Sequence, residues 1–357
     1  MTIFKPKSHG ESTLTFRLWE FTGSAILNLF ILLILAAYLS PLAYMAVTAL
    51  KEKSQLMDSK SPLYPATVRK FNYQGKDYQI YGVPQADGSL KAWALVKRFR
   101  AYAEFVDPEN PTAGLIHWDG NWRALNVIYQ PSVTYQNFVW LWTVANFPRS
   151  VGNTLIVAVI SEIGVLLASI SVAYGFSRFR IPGGKWLFLL LIGTILIPDS
   201  ITLVPTYMVF IKVFHWNGTL YPLIVPQFFG SAIYIFLLRQ NFKSIPRDLD
   251  EAAMLDGAGP FRILVSIILP QCIPAVATVA LLHFFYVWNE LRVASLYLGI
   301  SPHLRTVSFN TQSYQTLNFT PEILEASALL VMIVPALVLF IFQRFFMQDM
   351  VVTGIEK

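Results

Sequence analysis

Charged residues are scarce in this sequence, because Asp, Glu, Lys and Arg together make up 13% of its 357 residues. Soluble globular proteins carry about 25%, so roughly half of the usual charge is missing. Hydrophobic residues reach 55% and lie in long runs, which indicates a polytopic membrane protein. The net charge of +6 would suggest a nucleic-acid partner in a soluble protein. In a membrane protein we predict no such partner, and the position of Lys and Arg around the membrane spans is more informative.

Cysteine and the common catalytic motifs are also lacking. The single cysteine, Cys272, excludes a disulfide framework and a thiolate metal site. The sequence has neither a G-x-x-x-x-G-K-[ST] phosphate loop nor an H-E-x-x-H zinc motif. We therefore predict no catalytic residue, no metal site and no cofactor bound by this chain. A polytopic membrane enzyme would need a clustered nucleophile or metal set, and the sequence shows none.

Long apolar runs are what the sequence has instead. A helix needs about 20 apolar residues to cross the hydrocarbon core, and six segments are long enough: 24–50, 151–177, 186–211, 221–239, 263–291 and 323–346. Prolines predict irregularity in three of them. The third is interrupted by Pro198 and Pro205, the fourth begins with two prolines, and the fifth carries Pro270 and Pro274 near its start. The N-terminus has no small-residue cleavage site after its basic residues, so the first span reads as an uncleaved anchor.

The basic residues of the short connections predict the orientation. Lys and Arg concentrate in the N-terminus, in the 178–185 connection and in the 240–262 connection, and such loops are usually cytoplasmic. Both termini are therefore predicted to be cytoplasmic. The predicted division is an N-terminus with helix 1 over 1–50, an outer loop or lobe over 51–147, a transmembrane core over 148–347 and a tail over 348–357. The core holds helices 2 to 6 and the cytoplasmic connection 240–262.

The 51–147 segment is polar and is predicted to lie outside the cell. Turn-like stretches such as "YQGKDY" and "DPENPTAG" separate strand-length runs, which favours a small β-rich lobe. Two interpretations stay open: a passive surface loop, or a docking surface for an extracellular partner.

The stretch 246–270 sets acids and glycines between two hydrophobic runs. Pro246 suits a first helical position. Asp248, Asp250 and Glu251 follow in the first turns, where the helix dipole favours negative charge. Gly257 and Gly259 are predicted to end this helix, and Pro260 to open the next one. The result is a short amphipathic helix joined by a stiff turn to a membrane helix. It is either an ordinary helix of a cytoplasmic loop or an element that transmits the movement of a cytosolic partner to the membrane helix.

The spacing of this stretch resembles a known family. Glu251-Ala252-Ala253, then Gly257, Ile267 and Leu269-Pro270 resemble the EAA signature of permease subunits of binding-protein-dependent ABC importers. The runs "SVGNTLIVAV", "SVAYGFSRFRIPG", "VPTYMVF", "VWNE" and "FQRFFMQDMVVTGIEK" resemble the carbohydrate branch, close to the small permease subunit of maltose-type transporters. In that family the loop is a coupling helix that sits in a cleft of the ATPase subunit. The residues implied in coupling are Asp250, Glu251, Ala252, Ala253, Asp256, Gly257, Leu269 and Pro270.

The resemblance implies the architecture and the partners. We expect an all-α polytopic protein of the type I importer permease kind, with six transmembrane helices and an extracytoplasmic β-rich lobe between helices 1 and 2. The expected partners are a second, non-identical permease, two ATPase subunits that bind ATP and magnesium, an extracytoplasmic solute-binding protein and membrane lipid. The expected location is a bacterial or archaeal-type cell (inner) membrane, which the chain crosses several times. The family normally has only a short connection where residues 51–130 stand, so no role for the lobe follows from the resemblance.

Three ionisable residues fall inside predicted spans, where they are costly unless they face protein or water. Glu162, Asp199 and His283 lie about ten to thirteen residues from a span end, or roughly 15–20 Å at helical rise. They are predicted near the bilayer midplane, where transporters keep polar cavities. They are either structural hydrogen-bonding groups or part of a substrate path, and a Glu162–His283 contact is possible on depth alone. As a proton relay, the three would support the alternative of a gradient-driven secondary carrier.

The run "FFYVWNE" adds candidates for the substrate path. It contains Tyr286, Trp288, Asn289 and Glu290, and aromatic faces beside amide and carboxylate groups suit a sugar. Trp and Tyr near a membrane end are also common interfacial anchors. The resemblance to the carbohydrate branch implies a sugar or oligosaccharide as the solute. Related permeases handle glycerol phosphates, but Arg292 alone is a poor phosphate clamp.

Overall fold

The computed structural model describes residues 14–85, 88–317 and 320–353. The chain divides into two compact units, Met1–Thr134 and Tyr135–Lys357, and each has its own hydrophobic core. The terminal residues 1–13 and 354–357, predicted to be cytoplasmic, lie outside the described residues.

The first unit consists of one long helix followed by a β-rich lobe. Its elements are helices α1 (Leu14–Ala49) and α2 (Lys53–Leu56), and strands β1 (Ala66–Val68), β2 (Lys70–Tyr73), β3 (Lys76–Pro84), β4 (Leu90–Arg98), β5 (Tyr102–Val106), β6 (Ile116–Asp119), β7 (Asn126–Val127) and β8 (Tyr129–Pro131). Strands β2 to β6 form an antiparallel sheet in sequence order, β7 pairs with β3, and β1 pairs with β8. The predicted strands are therefore present, while the predicted position of the lobe outside the membrane stays a prediction.

Local turn chemistry explains the sheet. In the run "YQGKDY", Gln74 and Gly75 have φ of 52° and 78°, and they join β2 to β3 as a two-residue hairpin turn. The inward side chains of β3, β4 and β5 alternate along the strands and form the lobe's core, which includes Trp93, Leu95 and Phe105.

The second unit is helical. Its helices are α3 (Gln136–Thr143), α4 (Phe147–Arg178), α5 (Gly184–Gly193), α6 (Asp199–Lys212), α7 (Tyr221–Ile224), α8 (Ala232–Ser244), α9 (Asp248–Leu255), α10 (Pro260–Ile263), α11 (Leu269–Gln271), α12 (Ile273–Trp288), α13 (Arg292–Leu298), α14 (Val307–Thr316) and α15 (Pro321–Thr353). Short 3-10 turns follow α5 and α7, and a π-helical turn, Leu264–Ile268, joins α10 to α11. Helix α4 is central, because it packs against α8, α12 and the 3-10 turn Val225–Phe229. Its buried face carries small residues such as Ser161, Gly164 and Ser169, which allow close helix packing in a membrane protein.

The described residues contain four helical segments that are long and apolar enough to span a membrane: Ser24–Ala49, Phe147–Arg178, Tyr221–Ser244 and Pro321–Phe345. The count rises to six if each of two bent pairs forms one span. The first pair bends by 91° between Leu196 and Asp199, and the second bends by 82° between Gln271 and Ile273.

The third and fifth predicted spans are therefore not continuous helices. Ile197 takes an extended conformation, with φ −79° and ψ 115°, because a residue before proline is disfavoured in the helical region. The predicted irregularity is confirmed at Pro198, but the irregularity expected at Pro205 is wrong, because α6 continues through that residue. The predicted span over 186–211 corresponds to the first bent pair and counts as one span only if both of its helices are taken together. Cys272 makes the second break, between Pro270 and Pro274, and α12 ends at Trp288 rather than at residue 291.

Candidate functional site

Helix α9 carries most of the predicted coupling residues and has a well-defined end. The Gly257 N–H donates to the Met254 carbonyl at 3.0 Å, and the Ala258 N–H donates to the Ala253 carbonyl at 2.9 Å. With φ of 80° at Gly257, these bonds form a Schellman motif. Gly259, by contrast, has an ordinary φ of −76°, so only the first of the two predicted glycines needs left-handed freedom. The helix begins at Asp248, two residues after Pro246.

A buried ion pair fixes α9 to α4. Arg178 Nε lies 3.0 Å from Asp250 Oδ2, and the two side chains are 6% and 8% exposed. Both Nη nitrogens of Arg178 also donate to the Ile245 carbonyl, at 3.1 Å each. The last residue of α4 therefore holds the start of the coupling segment from two directions.

Two further bonds join the same elements. Arg247 Nη2 donates to the Ser177 carbonyl at 3.3 Å, and the Tyr174 hydroxyl donates to the Pro260 carbonyl at 3.0 Å. The end of α4 thus contacts the chain before and after α9. The sequence predicts no contact between α9 and Tyr174 or Arg178, although both lie in the run "SVAYGFSRFRIPG".

The outer face of α9 is open. Glu251, Ala252, Asp256 and Gly257 are exposed, while Ala253 packs partly against the helical core. Large apolar side chains stand beside the acids, since Leu255 is 90% exposed and Phe261 78%. Of the remaining predicted coupling residues, Leu269 packs partly against the core and Pro270 is exposed at the bend before α12. An apolar surface rimmed by acids is typical of a protein interaction site.

A second candidate region is a cavity of about 280 Å³ between α6, α7, α12 and α13. Asp199 Oδ2 and Arg292 Nη2 form an exposed ion pair of 2.8 Å at its wall. Tyr286 also lines the cavity and is 48% exposed. The other polar lining residues, which sequence reasoning missed because they lie far apart in the chain, are Thr202, Thr206, Gln227 and Tyr297.

The remaining residues of the "VWNE" run have structural contacts. Glu290 Oε1 accepts from the Val293 N–H at 2.7 Å, which satisfies one amide of the first turn of α13. It also lines a separate small pocket of about 30 Å³, to which Tyr286 contributes as well. Asn289 donates to the Phe285 carbonyl at 2.9 Å. Trp288 is 1% exposed and stacks on Phe284, so its ring faces protein and is closed to a solute in this conformation.

Glu162 and His283 lie apart from the cavity lining. His283 is fully buried, its Nε2 is 3.1 Å from Ser161 Oγ, and Tyr234 packs edge-on at 5.8 Å. Glu162 Oε1 is buried without a hydrogen-bond partner within the described residues. Of the three midplane candidates, the structure brings only Asp199 to the cavity.

The lobe has a cavity of its own, of about 540 Å³, which Tyr81, Arg123 and Tyr129 help to line. The Tyr129 hydroxyl donates to Asp58 Oδ2 at 2.7 Å. Burial, together with this carboxylate, raises the pKa of Tyr129 well above the usual value for a tyrosine. The phenol therefore stays protonated and remains a donor.

Comparison with known proteins identifies the family. Residues 163–352 match the family described as binding-protein-dependent transport system inner membrane component. A probable ABC transporter permease protein of Pyrococcus horikoshii is 30% identical over 229 residues, covering 63% of this chain and 83% of the relative. The alpha-glucoside transport system permease protein AglG of Rhizobium meliloti is 29% identical, covering 63% of this chain and 61% of the relative.

A solved structure has the same fold. It is a chain of a bacterial ABC transporter involved in the import of the acidic polysaccharide alginate, with a TM-score of 0.60, 17% identity and coverage of 95% of this chain and 100% of that chain. With a family match over more than half of the sequence and a shared fold, the chain belongs to the inner membrane components of binding-protein-dependent transport systems, the permeases of ABC importers.

Proposed function

We propose that this permease is the transmembrane subunit of an ATP-driven importer for a sugar or oligosaccharide, and that α9 is its coupling helix. The observation that carries the proposal is that α9 is exposed on one face and attached to α4 on the other. Its outer face is open, whereas Asp250 on its inner face is locked to Arg178. A partner that pushes on the open face would therefore move α4 with it, since the buried pair and the bonds around it resist separation.

The partners follow from this arrangement. Two ATPase subunits would bind ATP and magnesium, and their closure would move α9. A second permease would complete the pore. A solute-binding protein would deliver the solute from outside. This assignment keeps both termini and the 240–262 connection on the cytoplasmic side, as the basic residues predict.

The cavity beside α6 is the proposed solute path on this subunit. Hydroxyl, amide and carboxylate groups next to Tyr286 suit sugar hydroxyls and a C–H face. The relative named as an alpha-glucoside permease supports the same class. The cavity is less suited to glycerol phosphates, because the charge of its one arginine, Arg292, is already paired with Asp199. A gradient-driven carrier is not favoured either, since His283 and Asp199 bond to different partners, Ser161 and Arg292.

The test is ATP turnover and uptake by the complete complex in liposomes, with its binding protein and a panel of oligosaccharides and glycerol phosphates. One sugar should stimulate the ATPase. Gly257→Pro should uncouple uptake from ATP turnover, because proline cannot reach φ of 80° and lacks the N–H that bonds to Met254. Glu251→Arg should do the same by reversing a charge on the open face.

Gly257→Asn is the matched control, because asparagine tolerates left-handed angles and keeps the N–H. It should retain most of the uptake. Normal coupled uptake by both Gly257→Pro and Glu251→Arg would contradict the coupling role. Absence of any associated ATPase activity would contradict the importer itself.

A further inference from the structure

The helical unit contains a second large cavity, of about 500 Å³, which no step of the transport proposal uses. We call it the basic pocket. Four cations contribute to its lining, Arg180, Lys185, Arg239 and Lys243, and the lining contains no Asp or Glu. The other lining residues are Phe176, Phe179, Ile181, Gly184 and Phe188.

No carboxylate among the described residues pairs with any of the four positive charges. Arg239 and Lys243 lie four residues apart on α8, on one face of the helix. Arg180 follows the end of α4, and Lys185 lies in the first turn of α5. Like charges held together without a counter-ion favour an anionic ligand.

Two phenylalanines hold one of these cations, Arg239, in place. The Arg239 guanidinium carbon lies 3.8 Å from the centre of the Phe188 ring, and its Nε donates to the Phe176 carbonyl at 3.3 Å. Phe176 and Phe188 themselves meet edge to face at 5.4 Å. The aromatic floor therefore positions a guanidinium, which is the group best suited to bind phosphate oxygens through paired N–H donors.

The rim of the pocket is apolar. On α5, directly after Lys185, Trp186 is 70% exposed, Leu187 48% and Leu190 69%. These residues belong to one of the two bent helix pairs that are apolar enough for a membrane span when both helices are counted together. A ligand of this pocket would thus meet cations at one end and an exposed apolar helix face at the other.

We propose that the basic pocket binds the phosphate-bearing headgroup of an anionic phospholipid, with the acyl chains lying along α5. Basic pockets between membrane helices on the cytoplasmic side bind such headgroups. Free phosphate has the same charged group but no tail for the exposed α5 face, so the lipid is the better match. The site lies on the connection that leads from α4, which also holds α9.

The test is native mass spectrometry of the whole transporter titrated with phosphatidylglycerol, phosphatidylcholine or inorganic phosphate. The wild type should retain phosphatidylglycerol in preference to the zwitterionic lipid. Each of Lys185→Gln and Lys243→Gln should weaken retention about fivefold, which is the effect of one cation at an anionic membrane surface. The matched control is Lys212→Gln, an exposed lysine outside the pocket, which should leave retention unchanged.

Three results would overturn the proposal. The first is equal retention of both lipids, and the second is equal weakening by Lys212→Gln. The third is retention of inorganic phosphate that survives in the absence of lipid and is lost in the two pocket variants, which would assign the pocket to a soluble anion. None of these readouts depends on uptake, so the site and the transport proposal fail separately.

Discussion

Arg178 and Asp250 illustrate how one buried contact determines the behaviour of a loop. Their charges meet at 3.0 Å in a nearly closed environment. Each charge would be costly there by itself, because burial removes its hydration. The pair therefore contributes little as a net stabiliser, but neither residue tolerates the loss of the other. This makes the contact between α4 and α9 all-or-none.

Asp250→Ala should destabilise the coupling segment by roughly 3–5 kcal/mol, because it leaves the Arg178 guanidinium buried without a counter-charge. The measurement is hydrogen exchange of the amides of residues 247–260 in the purified complex, which should become faster. The double variant Arg178→Met with Asp250→Leu should lose less than the sum of the two single changes.

Asp248→Ala is the control for this change. Asp248 stands on the same helix but is exposed and forms no ion pair among the described residues. Its loss should cost only about 0.5 kcal/mol through the helix dipole. Equal effects of the two alanine variants would show that the buried pair does not hold the loop.

Among the helices and strands, the sequence predicts those features that are set by residues close together in the chain. Pro198 and Gly257 act on their own backbone, so the break before α6 and the end of α9 could both be anticipated. The runs of the lobe predict strands for the same reason, because turn residues separate them. The number of continuous spans could not be predicted, since a proline marks a break without giving its angle.

The candidate site could be predicted only in part. Asp199 and Arg292 are 93 residues apart, and nothing local to either one indicates the other. Trp288 was placed on the substrate path by its residue type, yet its ring is buried, because the direction a side chain takes around its helix depends on tertiary packing. His283 contacts Ser161 and not the Glu162 that its depth in the span suggests, because depth does not determine which face of a helix a side chain occupies.

The packing of α4 against the 3-10 turn Val225–Phe229 gives a prediction for elements. A Cβ added at Gly164 would lie 2.5 Å from the Phe228 ring. Gly164→Ala should therefore force the two elements apart and destabilise the complex by about 1–3 kcal/mol. A lower midpoint of thermal unfolding in detergent would measure it, and Phe228→Leu should recover part of the loss.

Gly152→Ala tests whether this is packing rather than helix propensity. Gly152 lies on the same helix, and a Cβ there meets nothing within 4 Å. That variant should be neutral or stabilising by up to about 1 kcal/mol. If Gly164→Ala behaves in the same way, α4 and the turn are not in close contact in the assembled protein.

For the whole molecule, the unusual feature is the lobe of the first unit. Its chain enters and leaves at one place, because Ala66 pairs with Pro131 across β1 and β8, and the Ser132 N–H donates to the Pro65 carbonyl at 3.1 Å. A segment with adjacent ends can be removed and bridged by a short linker without stretching the rest of the chain. Residues 66–131 can therefore be deleted without separating the chain segments on either side of them.

Replacing residues 66–131 with a short Gly-Ser linker should leave membrane insertion and basal ATP turnover intact, because the coupling segment belongs to the other unit. If the lobe is a docking surface, capture of the solute-binding protein by the complex should weaken about tenfold or more, which corresponds to roughly 1.4 kcal/mol of lost contact energy. Surface plasmon resonance with the reconstituted complex would measure it. Unchanged capture together with normal uptake would make the lobe a passive appendage, and the binding protein would then have to dock on the helical unit and the second permease alone.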